Sequence, residues 1–179
     1  MSQELLVSSF ADLWPVLFAA SDTFWRFLGE MGSVLSLGMA GIGSAIGIGV
    51  AGQAAAGAWA KEARAGRNLS FTYIILVGMP ISQTLYAMIV MNQLRGVFDN
   101  PDAVIAVADA GLLMGVGIAT GLAEMLSAWM QGLVGAAGIR ALSDGEGKGL
   151  AFIIIAMGIV ETVGIFAMVF LLGMIPTAG

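Results

Sequence analysis

Four apolar stretches, near residues 33–59, 70–94, 104–139 and 149–175, fill most of this 179-residue chain. Each is at least as long as the ~20 residues a helix needs to cross a ~30 Å hydrocarbon core. Too little chain is left between them to build a soluble domain. The hydrophobic content of 59% and charged content of 11% lie far from soluble averages of roughly half apolar and a quarter charged. An all-α membrane protein with four transmembrane helices is predicted. Cysteine and histidine are both absent, which removes disulfides, thiolate chemistry and the usual metal ligand and general base. The net charge of −5 comes without a basic patch, so nucleic acid is not an expected partner.

Positive charge divides unevenly among the connections. Lys61, Arg64 and Arg67 lie between the first two spans, and Arg140 and Lys148 between the last two. The other side has Arg26 and Arg95 beside Asp99, Asp102 and Asp109. The positive-inside rule therefore puts loops 61–69 and 140–148 in the cytoplasm and both termini outside. A multi-pass protein, expected in a prokaryotic cell membrane, results. Residues 1–32 form a separate N-terminal extension. Phe10, Leu13, Trp14, Leu17 and Phe18 recur there at helical spacing. They suggest a short helix in the membrane interface, with Pro15 in its first turn, or a partly ordered tail.

Superposing the chain on itself at an offset of 78 residues pairs Gly43 with Gly121, Gln53 with Gln131 and Gly57 with Gly135. The same offset pairs Met79 with Met157, Gln83 with Glu161 and Thr84 with Thr162. The unit is a helical hairpin, 33–98 and then 99–179. Two spans per unit preserve orientation, so the tandem hairpins are parallel, unlike the inverted repeats of many transporters. In the first span Gly38, Gly41, Ala45, Gly49, Gly52 and Ala56 follow 3,4-spacing, with Gly43 and Gly47 on a neighbouring stripe. Small residues let membrane helices approach closely. A helix that is small on most of its circumference needs neighbours on several sides, which implies an oligomeric assembly.

Two motifs carry less than they suggest. Gly47-Ile48-Gly49-Val50-Ala51-Gly52 matches a dinucleotide fingerprint, which has meaning only between a strand and a helix. Here it lies inside a span. Glu124 stands seven residues before Gln131, roughly 10 Å along a helix at 1.5 Å per residue. A snorkelling or lumen-facing carboxylate near the outer surface is the expectation, in preference to a second ion site. Gln53 is expected to serve in helix packing.

Glu161 is different. It lies within the apolar run 153–168, and no basic residue follows Lys148. A carboxylate at the centre of a spanning helix costs about 2.5–3.5 kcal/mol on insertion scales, so it should hold an ion or a proton. Glu161 lies 13 residues beyond Lys148 and Gln131 lies 9 before Arg140, each about 14–20 Å deep at 1.5 Å per residue. Gln83 lies at a comparable level, with Ser82 beside it. Pro80 frees a backbone carbonyl one turn earlier, so main-chain oxygens near Met79 join the set. One carboxylate among neutral oxygens suits a small monovalent cation, whereas a proton needs only the carboxylate and a partner. Sodium is therefore favoured. The competing use of the glutamines is interhelical hydrogen bonding.

These residues resemble the membrane-rotor proteolipid of rotary ATPases, in the duplicated form called the c or K subunit of bacterial and archaeal V-type enzymes. The likeness spans about 33–175 and is strongest in Gly41-Ile42-Gly43-Ser44-Ala45, Met79-Pro80-Ile81-Ser82-Gln83-Thr84-Leu85-Tyr86, Gln131 to Ile139, and Val160-Glu161-Thr162. It implies a cation site made by Ser82, Gln83, Gln131, Glu161 and the Met79 backbone carbonyl. Tyr86 would support the carboxylate by a hydrogen bond, and Thr162 would also support the site. Ser82 stands where Thr is usual, Glu124 is additional, and the first 32 residues have no counterpart. The resemblance further implies a homo-oligomeric ring in lipid, carrying Na⁺ (alternatively H⁺) on Glu161. A stator subunit with an arginine would discharge the ion, and central-stalk subunits would sit on the cytoplasmic loops. The chain itself would be non-catalytic. A stand-alone channel or secondary cation transporter using the same carboxylate is the alternative.

Overall fold

The computed structural model describes residues 3–99 and 107–176. All regular structure in them is helical: α1 (Gln3–Arg64), α2 (Thr72–Gly78), a 3₁₀ turn (Met79–Ile81), α3 (Ser82–Gly96), α4 (Val107–Asp144) and α5 (Leu150–Leu172). Four segments are long and apolar enough to cross a membrane, namely Ser21–Arg64, Thr72–Gly96, Ala108–Asp144 and Leu150–Leu172. Thus α2, the turn and α3 make one span. Asp102 lies outside the described residues.

The expected short interfacial helix is not a separate element. From Gln3 the backbone runs without a break into the first span, and Pro15 lies inside that helix rather than in its opening turn. A proline's missing N–H removes one bond of the ladder, and here the flanking turns carry the helix past it. The side chains of Phe10, Trp14, Leu17 and Phe18 lie outside the described residues.

Glycines decide how the spans pack. A methyl group added at Gly117 would fall 2.5 Å from the Gly32 Cα, and one added at Gly132 would fall 2.2 Å from the Gly47 Cα. Between these points Gly43 meets the Met125 backbone. These contacts ascend together along both chains, so α1 and α4, the first helices of the two hairpins, run parallel with backbones touching. Such approach replaces the hydrophobic drive that lipid denies to membrane helices. The helix α3 packs on both of them, and α5 packs on α4 and α3. The most apolar span, Leu150–Leu172, is also the least covered. Its Ile155, Ile159, Val163, Phe166 and Phe170 point outward.

The 3,4-spaced stripe of α1 is mostly open, although a methyl group added at Gly52 would fall 4.0 Å from Val77. Around Gly38, Gly41 and Gly49 there is open space, and Ala45 and Ala56 are exposed. Gln53, expected to bond between helices, is exposed on the single subunit as well.

One end of the bundle is tied down. Buried Glu62 accepts from the Ser70 backbone N–H (3.0 Å) and from the Tyr73 hydroxyl, while Trp59 Nε1 donates to the Ser70 carbonyl (2.8 Å). Arg67 reaches across to the Ser143 carbonyl (3.3 Å), and Lys61 pairs with Asp144. The connection into α5 turns on Gly147 and Gly149, whose φ of 85° and 92° suit glycine.

Replacing Gly132 by Ala should force α1 and α4 apart. Overpacking of this kind costs about 1–3 kcal/mol, so the purified protein should aggregate at lower temperature than the wild type. Gly111→Ala, where no described atom lies within 4 Å, should leave the thermal transition unchanged.

Candidate cation site in the membrane

The 3₁₀ turn at Met79–Ile81 resets α3 so that Ser82, Gln83 and Tyr86 face α4 and α5. Pro80 at the turn is the local cause, because its ring and missing N–H break the α ladder. From α3, fully buried Gln83 meets two residues of α4: its Nε2 donates to Gln131 Oε1 (3.2 Å) and to Ser127 Oγ (3.2 Å). From α4, Gln131 Nε2 donates to Glu161 Oε2 (3.2 Å) and to the Met157 carbonyl (3.2 Å). Tyr86 Oη donates to Glu161 Oε1 (2.8 Å). Ser82 Oγ stands 3.1 Å from the Met79 carbonyl and 3.2 Å from Gln83 Oε1, sharing its one proton between them.

Met79, Ser82, Gln83, Gln131, Glu161 and Tyr86 are therefore joined in one continuous polar line across three helices. Both oxygens of Glu161 accept a hydrogen bond, and its side chain is half-buried on the least covered helix. Gln83 and Gln131 are sealed inside. In this arrangement the amide of Gln131 offers its nitrogen to the carboxylate. Offering its oxygen to a cation requires this amide to turn over and the Gln83 amide to turn with it, since the Gln83 nitrogen now donates to that oxygen. The donor set, one carboxylate with hydroxyl, amide and main-chain oxygens, has the chemistry of a monovalent hard cation or a proton.

Thr162 does not join the line. Its hydroxyl is exposed and donates to the Ile159 carbonyl of its own helix (2.6 Å). Its repeat mate Thr84 bonds instead to Ser44 Oγ of α1 (2.8 Å). Ser127 was missed by sequence reasoning: it accepts from Gln83 and donates to the Val160 carbonyl (3.1 Å). The available signal was spacing, since Thr120, Glu124, Ser127 and Gln131 fall on one face of α4 and all four are buried.

Glu124 requires a correction. Expected to snorkel or face a lumen near the outer surface, it is instead 0% exposed, and neither carboxyl oxygen has a hydrogen-bond partner among the described residues. Its distance along α4 was readable, but the direction of its side chain was not.

Tyr86→Phe removes one hydrogen bond to the carboxylate. A donor to a carboxylate favours its ionised form over the protonated one, so a carbodiimide, which attacks the protonated acid, should modify Glu161 faster in this variant than in the wild type at the same pH. Timing the carbodiimide modification of Glu161 checks this.

A family model describing the C subunit of ATP synthase matches this chain twice, over residues 31–93 and 114–174. The A-type ATP synthase subunit K of Methanocaldococcus jannaschii is 33% identical over 128 residues. That alignment covers 70% of this chain and 53% of the relative, so the chain spans about half the relative's length. The two family matches take in both hairpins and include Met79, Ser82, Gln83, Tyr86, Gln131 and Glu161. With its hairpin doubled and its mid-membrane carboxylate kept in the second copy alone, this chain belongs to the family of ATP synthase C subunits.

Proposed function

We propose that the chain is the rotor-ring subunit of an A/V-type rotary ATPase or ATP synthase, carrying Na⁺ on Glu161. The observation that carries the reading is the placement of Glu161. It is an acid on the most lipid-exposed helix, reached from inside the subunit by Tyr86 and Gln131. An acid so placed can be loaded from a polar interior and then face hydrocarbon once neutralised, which removes most of the cost of exposure. The open small-residue stripe of α1 supports a closed ring of copies, each pressing that stripe against a neighbour.

In this reading the ion enters through a stator half-channel, travels with the ring, and leaves where a stator arginine displaces it. Central-stalk subunits engage the loops at 61–69 and 140–148, on the cytoplasmic side, and both termini lie outside. ATP chemistry belongs to a separate soluble head. Gln83 replaces the carboxylate of the first hairpin, so each chain carries one ion across four spans. A stand-alone channel would have little use for the open stripe of α1.

Sodium is preferred over the proton because the polar line that ends on the carboxylate holds more oxygens than a proton needs. Na⁺ binding would draw on Ser82, Gln83, Gln131 and the Met79 carbonyl together with Glu161.

Glu161→Gln is isosteric but cannot change charge. It should leave the ring assembled and abolish coupled ion translocation in reconstituted vesicles, and normal transport by this variant would remove the central claim. For ion identity, a carbodiimide attacks the protonated acid, so Na⁺ should slow modification of Glu161. The protection should grow as pH rises and proton competition weakens. Gln131→Ala should reduce it, and K⁺ should protect poorly. Modification indifferent to Na⁺ from neutral to alkaline pH would identify a proton rotor.

A further inference from the structure

Glu124 is a second acid in the same polar face of α4 as Gln131, and the mechanism above does not use it. It lies fully inside the subunit, with no hydrogen-bond partner for either oxygen among the described residues. The structure has made room for it. A methyl group added at Gly164 of α5 would fall 2.3 Å from Glu124 Oε2 and 3.3 Å from Ser127 Oγ. The carboxyl therefore lies against the bare backbone of α5, one turn beyond Glu161. The first hairpin has Ile46 at the equivalent position, and it is exposed. The buried acid belongs to the second hairpin alone.

The groups facing Glu124 admit one stable state. The ionisable side chain of α5 is Glu161, and those of α3 are Tyr86 and, nine residues further on, the exposed Arg95. At this level α1 presents Leu35, Met39 and the Gly43 backbone, none of them ionisable. On α4 itself the neighbours are Thr120, whose buried hydroxyl also lacks a partner among the described residues, and Ser127. No described cation faces the carboxyl. An ionised, unpaired carboxylate there would cost several kcal/mol in desolvation and would repel Glu161 as well. A protonated carboxyl is neutral and escapes both penalties.

We propose that Glu124 is a second proton-binding carboxyl of the subunit, which keeps its proton throughout the cycle in which Glu161 exchanges its cation. The chain then holds two acids on neighbouring helices, Glu124 of α4 and Glu161 of α5, and works only one of them. The contrast rests on the reading of Glu161 as the exchanging group, but the protonation of Glu124 does not.

Infrared spectroscopy of the assembled ring in lipid tests this through the carbonyl stretch of a protonated carboxylic acid. In Glu161→Gln the exchanging acid is gone, and a protonated-acid band should persist from neutral into alkaline pH. It should be lost in the double variant Glu161→Gln/Glu124→Gln. Gly164→Ala, made on the Glu161→Gln background, leaves Glu124 present but intrudes on its carboxyl, and should shift the same band. Identical spectra for the single and double variants at neutral pH would show Glu124 to be ionised and would overturn the proposal. A band that disappears on Na⁺ addition would overturn it too, because Glu124 would then be exchanging its proton for an ion. Transport by Glu161→Gln is a separate measurement, so a failure of the Glu161 reading is distinguishable from a failure here.

Discussion

The backbone contact between α1 and α4 governs the rest of the subunit. Because Gly32 faces Gly117 and Gly47 faces Gly132 without intervening side chains, the two parallel helices share a narrow seam. The remaining faces of α4 are then free to take α3 on one side and α5 on the other. Gln131 thereby sits between Gln83 and Glu161, within hydrogen-bond reach of both. Wider spacing at the seam would move α4 relative to its flanking helices and open the polar line at its middle link. In lipid, where apolar burial gives helices little reason to associate, steric fit of this kind has to supply the association.

Two acids in one hydrocarbon layer are handled differently. Glu161 is kept half-exposed, and each of its oxygens receives a donor from another helix. Those donors stabilise its charge. Glu124 receives no donor from the described residues and has no exit. The difference comes from which helix carries the acid: α5 lies on the rim of the bundle, whereas the polar face of α4 lies within it.

Much of this was legible along the helix axis and little around it. Counting residues from Lys148, Arg140 and Arg67 gave the depths at which Glu161, Gln131 and Gln83 meet, because rise per residue is constant. Pro80 announced the distortion seen at Met79–Ile81. The azimuth of each side chain was a different matter. In spans as uniformly apolar as α4 and α5, no polar face marks which side is inward. Glu124 was therefore assigned the wrong direction, and Ser127 was overlooked beside it. Proximity to the motif likewise overstated Thr162, whose hydroxyl turns back to its own helix. The doubling of the hairpin, by contrast, was readable from the chain alone, since paired glycines such as Gly57 and Gly135 need no structure to be compared.

The tied end of the bundle has a mechanical consequence. Glu62, with its bonds to Ser70 and Tyr73, binds the end of α1 to the start of α2, and Arg67 fastens that corner to the end of α4. A sideways push on Glu161 acts on α5, whose link to α4 is the short glycine-bearing turn ending at Gly149. Because α5 also packs along α4 and α3, such a load is shared between its side contacts and the turn that leads back to the braced corner. The corner itself cross-links both hairpins through Arg67 to Ser143 and Lys61 to Asp144, so a force arriving there is divided between them.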